Sequence, residues 1–304
     1  MISLTDPIYS NAELAREHLE TLHWPNGPVC PRCGETDRVK RAGGASTRPG
    51  LVQCAPCRRG FTVTVGTVME DSKIPLNKWL LAFRLMAGSK KGVSAHQLHR
   101  SLGITYKSAW FLGHRIREAM NIEPEGPLGG PDSVVEADET YVGGKQRNRA
   151  TRTVKPKKAV VALVERDGRA RSFHVANVNA KTLRPLIVTN VVRSSALMTD
   201  ESPVYTGVGR EFAYHGKVNH SASQYVTTGG WKHSNTVENF FSIFKRGVIG
   251  TYHHMSEAHL GRYCAEFDFR YNTRLISDAE RTDEAMIGSR GKRLTYRRTD
   301  KLAA

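Results

Sequence analysis

Residues 133–142, SVVEADETYV, read as a β-strand that carries an aspartate, Asp138, inside it. A carboxylate among Val and Ala is unfavourable in a sheet unless it is hydrogen-bonded or paired with a metal. The sequence that follows supplies the rest of a sheet. AVVALVER (159–166) and ARSFHVA (170–176) flank Asp167-Gly168, a two-residue hairpin signal. KTLRPLIVTNVV fits a helix with Pro185 near its first turn, SSALMTD is a strand ending at Asp200, and EFAYHGKVNH is a further extended run. The order β-β-β-α-β-α-β-α predicts an α/β fold: a mixed sheet with helices against its faces. Asp200, at a strand end, lies where such sheets place ligands.

The last helix of that order starts in HSNTVENFFSIFK, residues 233–245. Asn235 or Thr236 can cap it, and Val237, Phe240, Phe241 and Phe244 form one apolar face. Glu238 and Lys245, two turns apart, share another face. Taken alone, Glu238 reads as a first-turn glutamate that stabilises its own helix by up to about 1 kcal/mol. Taken with Asp138 and Asp200, it completes three acidic residues able to hold divalent metal for nucleic-acid strand transfer, with Lys245 to neutralise phosphate.

The rest of the chain favours the second reading. It has 304 residues, with 45 Lys plus Arg against 29 Asp plus Glu, a formal charge of +16. That length allows two domains, and that excess suits a polyanionic partner. No apolar run of about 20 residues is present, so no membrane span is expected. The start, MISLTDPIYSNAELA, lacks the pattern of a secretory signal, so a cytoplasmic location and reduced thiols are expected.

Cys30-Pro-Arg-Cys33 and Cys54-Ala-Pro-Cys57 are separated by 20 residues. Two such knuckles joined by a hairpin give the four thiolates of a structural Zn²⁺ site. RGFTVTVGTV (59–68) alternates as a strand that completes the ribbon. SNAELAREHLETL (10–22) reads as a helix with Leu14, His18 and Leu22 on one face. Residues 75–120 predict three helices. The second and third, capped by Ser94 and Thr105 and parted at Gly103, have helix-turn-helix spacing. Lys107, His114, Arg115 and Arg117 on the third are candidates for contact with DNA. Within the strand region, GGKQRNRATRTVKPK (143–157) is the densest basic run, a candidate grip on DNA backbone.

These motifs in order, with VEADETYVGGK (135–145), LMTDESPVY (197–205), VNHS (218–221) and HSNTVENFFSIFKRGVIGTYHH (233–254), resemble the bacterial insertion-sequence transposases that join an N-terminal zinc ribbon to a DDE-type, ISXO2-like catalytic domain. The resemblance covers about residues 10–290. It implies a ribonuclease-H-like catalytic fold, Mg²⁺ or Mn²⁺ as catalytic cofactor, and cleavage and strand transfer at terminal inverted repeats. The implied partners are double-stranded DNA, both terminal repeats and target, and further copies of the chain assembled on it. Asp138 and Asp200 match the family's first two aspartates. The third position falls on Glu238, with Asn235 as the alternative.

The expected organisation is an N-terminal helix and lead-in over 1–27, the zinc ribbon over 28–70 and a helical DNA-binding domain over 71–122. A linker follows over 123–132, then the catalytic domain over 133–280 and a basic tail over 281–304. Two other functions remain compatible with the same residues: a non-catalytic DNA-binding regulator derived from a transposase, and a metal-dependent nuclease without joining activity.

Overall fold

The structure, a computed structural model, describes residues 3–44, 46–123, 125–143, 157–218, 231 and 233–295. The chain divides into two units, one formed by Met1–Ile122 with Leu275–Ala304 and the other by Glu123–Arg274.

The first unit begins with helix α1 (Ala12–His23), capped by Asn11, whose side chain accepts from the N–H groups of Glu13 and Leu14. Its buried face is Ala15, Leu19 and His23 rather than the Leu14–His18–Leu22 line expected from spacing; Leu14 is exposed. Strands β1 (Val39–Arg41), β2 (Val52–Cys54) and β3 (Arg59–Phe61) form an antiparallel sheet in that order. The ribbon core is Val52, Phe61 and two cysteines, with the Trp24 and Phe61 rings edge to face at 5.8 Å. The alternating run expected to extend to residue 68 stops at Phe61. Turns closed by Val65 N–H to Thr62 O (3.0 Å) and Thr67 N–H to Thr64 O (3.2 Å) replace it, and Gly66 supplies a φ of +75°.

Helices α2 (Leu76–Gly88), α3 (Ala95–Leu102) and α4 (Tyr106–Met120) follow. Ser94 and Thr105 cap α3 and α4 as expected, and Gly103 ends α3 at φ 58°. The side chains proposed to reach DNA from α4 need correction. His114, Arg115 and Arg117 are 1%, 7% and 4% exposed. The Arg115 guanidinium lies over the Phe111 ring at 5.2 Å and the Trp79 ring at 5.7 Å, and donates to the Glu70 carbonyl. Cation–π packing and a backbone partner satisfy this charge inside the bundle. Lys107 and Tyr106, in the first turn of α4, remain exposed.

The second unit contains β4 (Val134–Val142), β5 (Lys158–Glu165), β6 (Ala170–Val175), α5 (Ala180–Asn190), β7 (Ala196–Asp200), a short α6 (Thr206–Gly209), β8 (Tyr214–Val218), α7 (Asn235–Gly247) and α8 (Glu257–Asn272). The strand order is β6-β5-β4-β7-β8. β4, β5 and β6 pair antiparallel through the Asp167-Gly168 hairpin, and β7 and β8 run parallel to β4. This is the mixed, helix-flanked, ribonuclease-H-like sheet that the sequence implied. One face packs Val135, Ala137, Val161 and Leu197 on Leu183 and Ile187 of α5 and on Tyr205. The other packs Val160, Ala162 and Val164 on Phe240, Phe241 and Phe244 of α7 and Leu260, Cys264 and Phe267 of α8. Arg270 is 6% exposed and paired with Glu266.

The stretch treated as a linker is partly structural. Leu128 is fully buried in the second unit, where its N–H bonds Asn190 O at 2.8 Å and its carbonyl takes Val192 N–H at 2.9 Å. The stretch treated as a basic tail begins inside a helix, α9 (Asp278–Ile287), which has a capping box from Ser277 and Glu280. α9 packs on α1, α2 and α4. Its Met286 is 1% exposed, and the His23 ring nitrogen bonds the Met286 carbonyl at 3.0 Å. Met286→Ala should therefore destabilise the first unit by about 2–5 kcal/mol in denaturant unfolding. A change near zero would mean that α9 does not belong to that core.

Candidate functional site: a thiolate centre and an acidic sheet edge

The two CxxC turns bring four sulfurs together. Cys30, Cys33, Cys54 and Cys57 place their sulfurs within 4.8 Å of one another, and none forms a disulfide. Cys30 to Cys57 is 3.9 Å and Cys33 to Cys54 is 3.7 Å. Four sulfurs tetrahedral about zinc, each at about 2.3 Å, lie about 3.8 Å apart, so the residues present fit the ion. Burial opposes ionisation of Cys30, but the N–H groups of Arg32 and Cys33 and the neighbouring thiols outweigh it and bring its pKa down to about 7. The first knuckle closes with Gly34 N–H to Cys30 O at 2.9 Å, Gly34 having φ +74°. Purified protein should contain about one zinc per chain by elemental analysis, and Cys54→Ser should lose it and unfold the ribbon. Full folding of the ribbon without metal would contradict this assignment.

The second unit brings the acidic residues to one edge of its sheet. Each β4–β7 rung joins residue i to residue i + 62: Val134 to Ala196, Val135 to Leu197, Glu136 to Met198. Continued, that register sets Asp138 level with Asp200. No rung joins them, because β4 carries on only with β5, to Val142, and β7 only with β8. The β4–β7 pairing therefore ends two residues before Asp138 and Asp200, at the carboxyl end of β7, where sheets of this kind bind ligands. Val135, Ala137 and Leu197 face α5. By alternation, Asp138 and Asp200 face the side covered by α7. Glu238 stands in the first turn of that helix and accepts from Ser234 Oγ at 2.8 Å.

Electrostatics ties the three together. Burial pushes the Asp138 carboxyl up to about 7, and the charges of Glu139, Asp200 and Glu238 add to the shift, against the Glu139 N–H that it accepts at 2.8 Å. The three carboxylates do not form a closed cage. Among the described residues, the four cysteines are the only group of three or more potential ligands all within 4.8 Å of one another. Asn235 is exposed at the helix start, with its N–H to His233 Nδ1 at 3.4 Å. Lys245 is exposed on the face of Glu238, about 10.5 Å further along the axis. His220 and most of the basic loop 143–157 lie outside the described residues.

Two acidic residues not singled out from sequence also belong here. Glu139 accepts from the Tyr205 hydroxyl, and burial together with the Asp200 charge raises its pKa despite that bond. Glu136 is fully buried and accepts from Arg166 Nε at 2.7 Å and from the N–H groups of Thr236 and Val237 at 2.8 and 3.0 Å. Glu136 thus does the capping expected of Asn235 or Thr236. The reasoning that singled out Asp138, a carboxylate inside an apolar strand, applies equally to Glu136.

A raised carboxyl pKa means that the folded state holds a proton which the unfolded chain releases. The stability this contributes is present below the unfolded value of 3.8 and is lost as pH rises to about 7. The melting temperature of the wild type relative to Asp138→Asn should fall across that window. A flat difference would show that Asp138 does not titrate there.

Residues 127–272 match the family model of the ISXO2-like transposase domain, and residues 10–60 match that of the transposase zinc-ribbon domain. A protein of Halobacterium salinarum, described as an uncharacterized protein in transposable element ISH50, is 28% identical over 271 residues, covering 83% of this chain and 88% of the relative. Among the described residues, no helix is long and apolar enough to cross a membrane. The four-cysteine ribbon and the five-stranded mixed sheet each fall within a matched segment, so the chain carries a segment similar to the transposase zinc-ribbon domain ahead of one similar to the ISXO2-like transposase domain.

Proposed function

We propose that this protein cuts DNA at the terminal inverted repeats of its insertion sequence and joins the ends to target DNA, with Asp138, Asp200 and Glu238 as the acidic triad. The observation that carries the reading is the crowding at Asp138: a half-buried carboxyl pushed up to about 7 by desolvation and by three neighbouring acids, two of them Asp200 and Glu238. Carboxylates brought near one another favour binding of a divalent cation. Mg²⁺ or Mn²⁺ held by the triad would supply Lewis-acid polarisation of the scissile phosphodiester.

The chain's own groups supply the rest. Ser234 orients the Glu238 carboxylate through its 2.8 Å hydrogen bond. Lys245, exposed on the same helix face, is placed to meet phosphate charge. Glu238 is preferred to Asn235 because its charge acts on Asp138, whereas Asn235 is exposed at the helix start. The formal charge of +16 supports a DNA partner, and the start of α4, with Tyr106 and Lys107 exposed, is the part of the helix pair left to reach a groove. Joining two element ends calls for more than one copy on the DNA. The protein would work in the cytoplasm, on the nucleoid.

Cleavage and end joining measured on candidate terminal repeats in Mg²⁺ or Mn²⁺ test this. Asp138→Asn should lower both by at least about a hundredfold while leaving DNA binding intact. Glu238→Gln should do the same and Asn235→Ala should not; the reverse pattern moves the third position to Asn235. Cleavage without any joining would identify a nuclease. Binding without cleavage by the wild type would identify a regulator.

A further inference from the structure

Glu136 connects the two elements that carry the proposed site. It precedes Asp138 by two residues on the same face of β4, and its side chain is 0% exposed. Its Oε2 takes the N–H groups of Thr236 and Val237 at 2.8 and 3.0 Å. Its Oε1 takes the Thr236 hydroxyl at 3.0 Å and Arg166 Nε at 2.7 Å, with His233 Nδ1 at 3.1 Å. Arg166 also donates to the carbonyls of Trp231 and His233 at 2.8 and 2.9 Å. The segment entering α7 is therefore held by its carbonyls to Arg166 and by its N–H groups to Glu136.

This arrangement replaces the usual helix cap. Ser234, the residue before α7, makes no side-chain bond to the helix backbone. The anion that favours a helix start instead comes from a neighbouring strand. Consequently β4 fixes where α7 begins and how it is rotated. Asp138 lies two residues beyond Glu136, and Glu238 lies two residues beyond Thr236. One carboxylate thus sets the spacing of both.

We propose that Glu136 is a positioning residue, which through the N–H groups of Thr236 and Val237 holds Glu238 against Asp138 so that the two can share a divalent cation. It does not itself meet metal or DNA, since it is buried and both oxygens are already taken by donors. The inference rests on the acidic triad proposed above. A purely structural cap would change the melting temperature and leave the metal affinity of the folded protein unchanged.

Mn²⁺ binding to the full-length protein, read by electron paramagnetic resonance alongside thermal melting, separates the cases. Glu136→Gln keeps the shape and removes the charge that organises the four donors, the N–H groups of Thr236 and Val237, the Thr236 hydroxyl and Arg166 Nε. It should weaken Mn²⁺ binding at the acidic site tenfold or more at temperatures where circular dichroism is that of the wild type. Should Glu136→Gln not fold, Arg166→Gln, which removes the bonds to the Trp231 and His233 carbonyls and to Glu136 Oε1 but keeps the Thr236 and Val237 N–H bonds, should weaken binding severalfold. Wild-type affinity in a folded Glu136→Gln or Arg166→Gln protein, with binding lost in Asp138→Asn, would overturn the positioning role alone. Wild-type affinity in Asp138→Asn as well would overturn the triad and the inference with it.

Discussion

The hydrogen-bond ladder between β4 and β7 runs through three rungs and stops at Glu136 and Met198. The candidate site depends on that stop. Had the strands continued to pair, Asp138 and Asp200 would flank a closed sheet, with no opening for a phosphate between them. The ladder ends before the two aspartates, which its register sets level, and α7 packs on the same face of the sheet with Glu238 in its first turn. The apolar face of α7, with Val237, Phe240, Phe241 and Phe244 buried, fixes the helix on the sheet, while Glu136 fixes its first turn. Packing and a buried anion therefore address different degrees of freedom of one element.

The site is costly to build. Desolvating carboxylates and placing them near one another costs free energy, and the raised pKa of Asp138 expresses that cost. Glu136 shows how the same problem is solved without metal. A fully buried carboxylate with Arg166 and backbone donors is compensated, and removing one member of such a pair typically costs about 3–5 kcal/mol. Asp138 accepts from the Glu139 N–H and has three acids acting on it, so among the described residues it is less compensated than Glu136. Two carboxylates on one strand face, two residues apart, thus differ in what surrounds them: one is matched by cationic and backbone donors and the other faces further acids.

Much of the fold was legible in the sequence because its signals are local. The strand period of 133–142, the Asp167-Gly168 turn and the apolar face of α7 each predict one element, and connection rules then limit the topology. The paired cysteines predict a metal centre because spacing alone constrains their reach. The errors are non-local. Arg115 and Arg117 look like DNA contacts in a basic helix, but only the fold places aromatic rings beneath Arg115. The 281–304 tail reads as a basic appendage because nothing nearby in sequence reveals that α1, α2 and α4 cover Met286. The alternation of 59–68 suggests a strand, yet Thr62 and Thr64 carbonyls close turns instead. At the acidic edge, motif and position singled out Asp138, Asp200 and Glu238, and the proposal rests on them. Glu136 carried the same signal as Asp138, a carboxylate inside an apolar strand, but its role was hidden because its partners Thr236 and Val237, like Tyr205 for Glu139, are distant in the chain.

The central claim is that the open edge between β4 and β7, completed by Glu238, is a divalent-metal site. Anomalous diffraction from crystals of the full-length protein grown with Mn²⁺ tests it most directly. The account predicts an anomalous peak at this edge, within coordination distance of Asp138, Asp200 and Glu238 carboxylate oxygens. An edge without a peak at saturating Mn²⁺, or a peak held by other residues with Glu238 turned away, would contradict it.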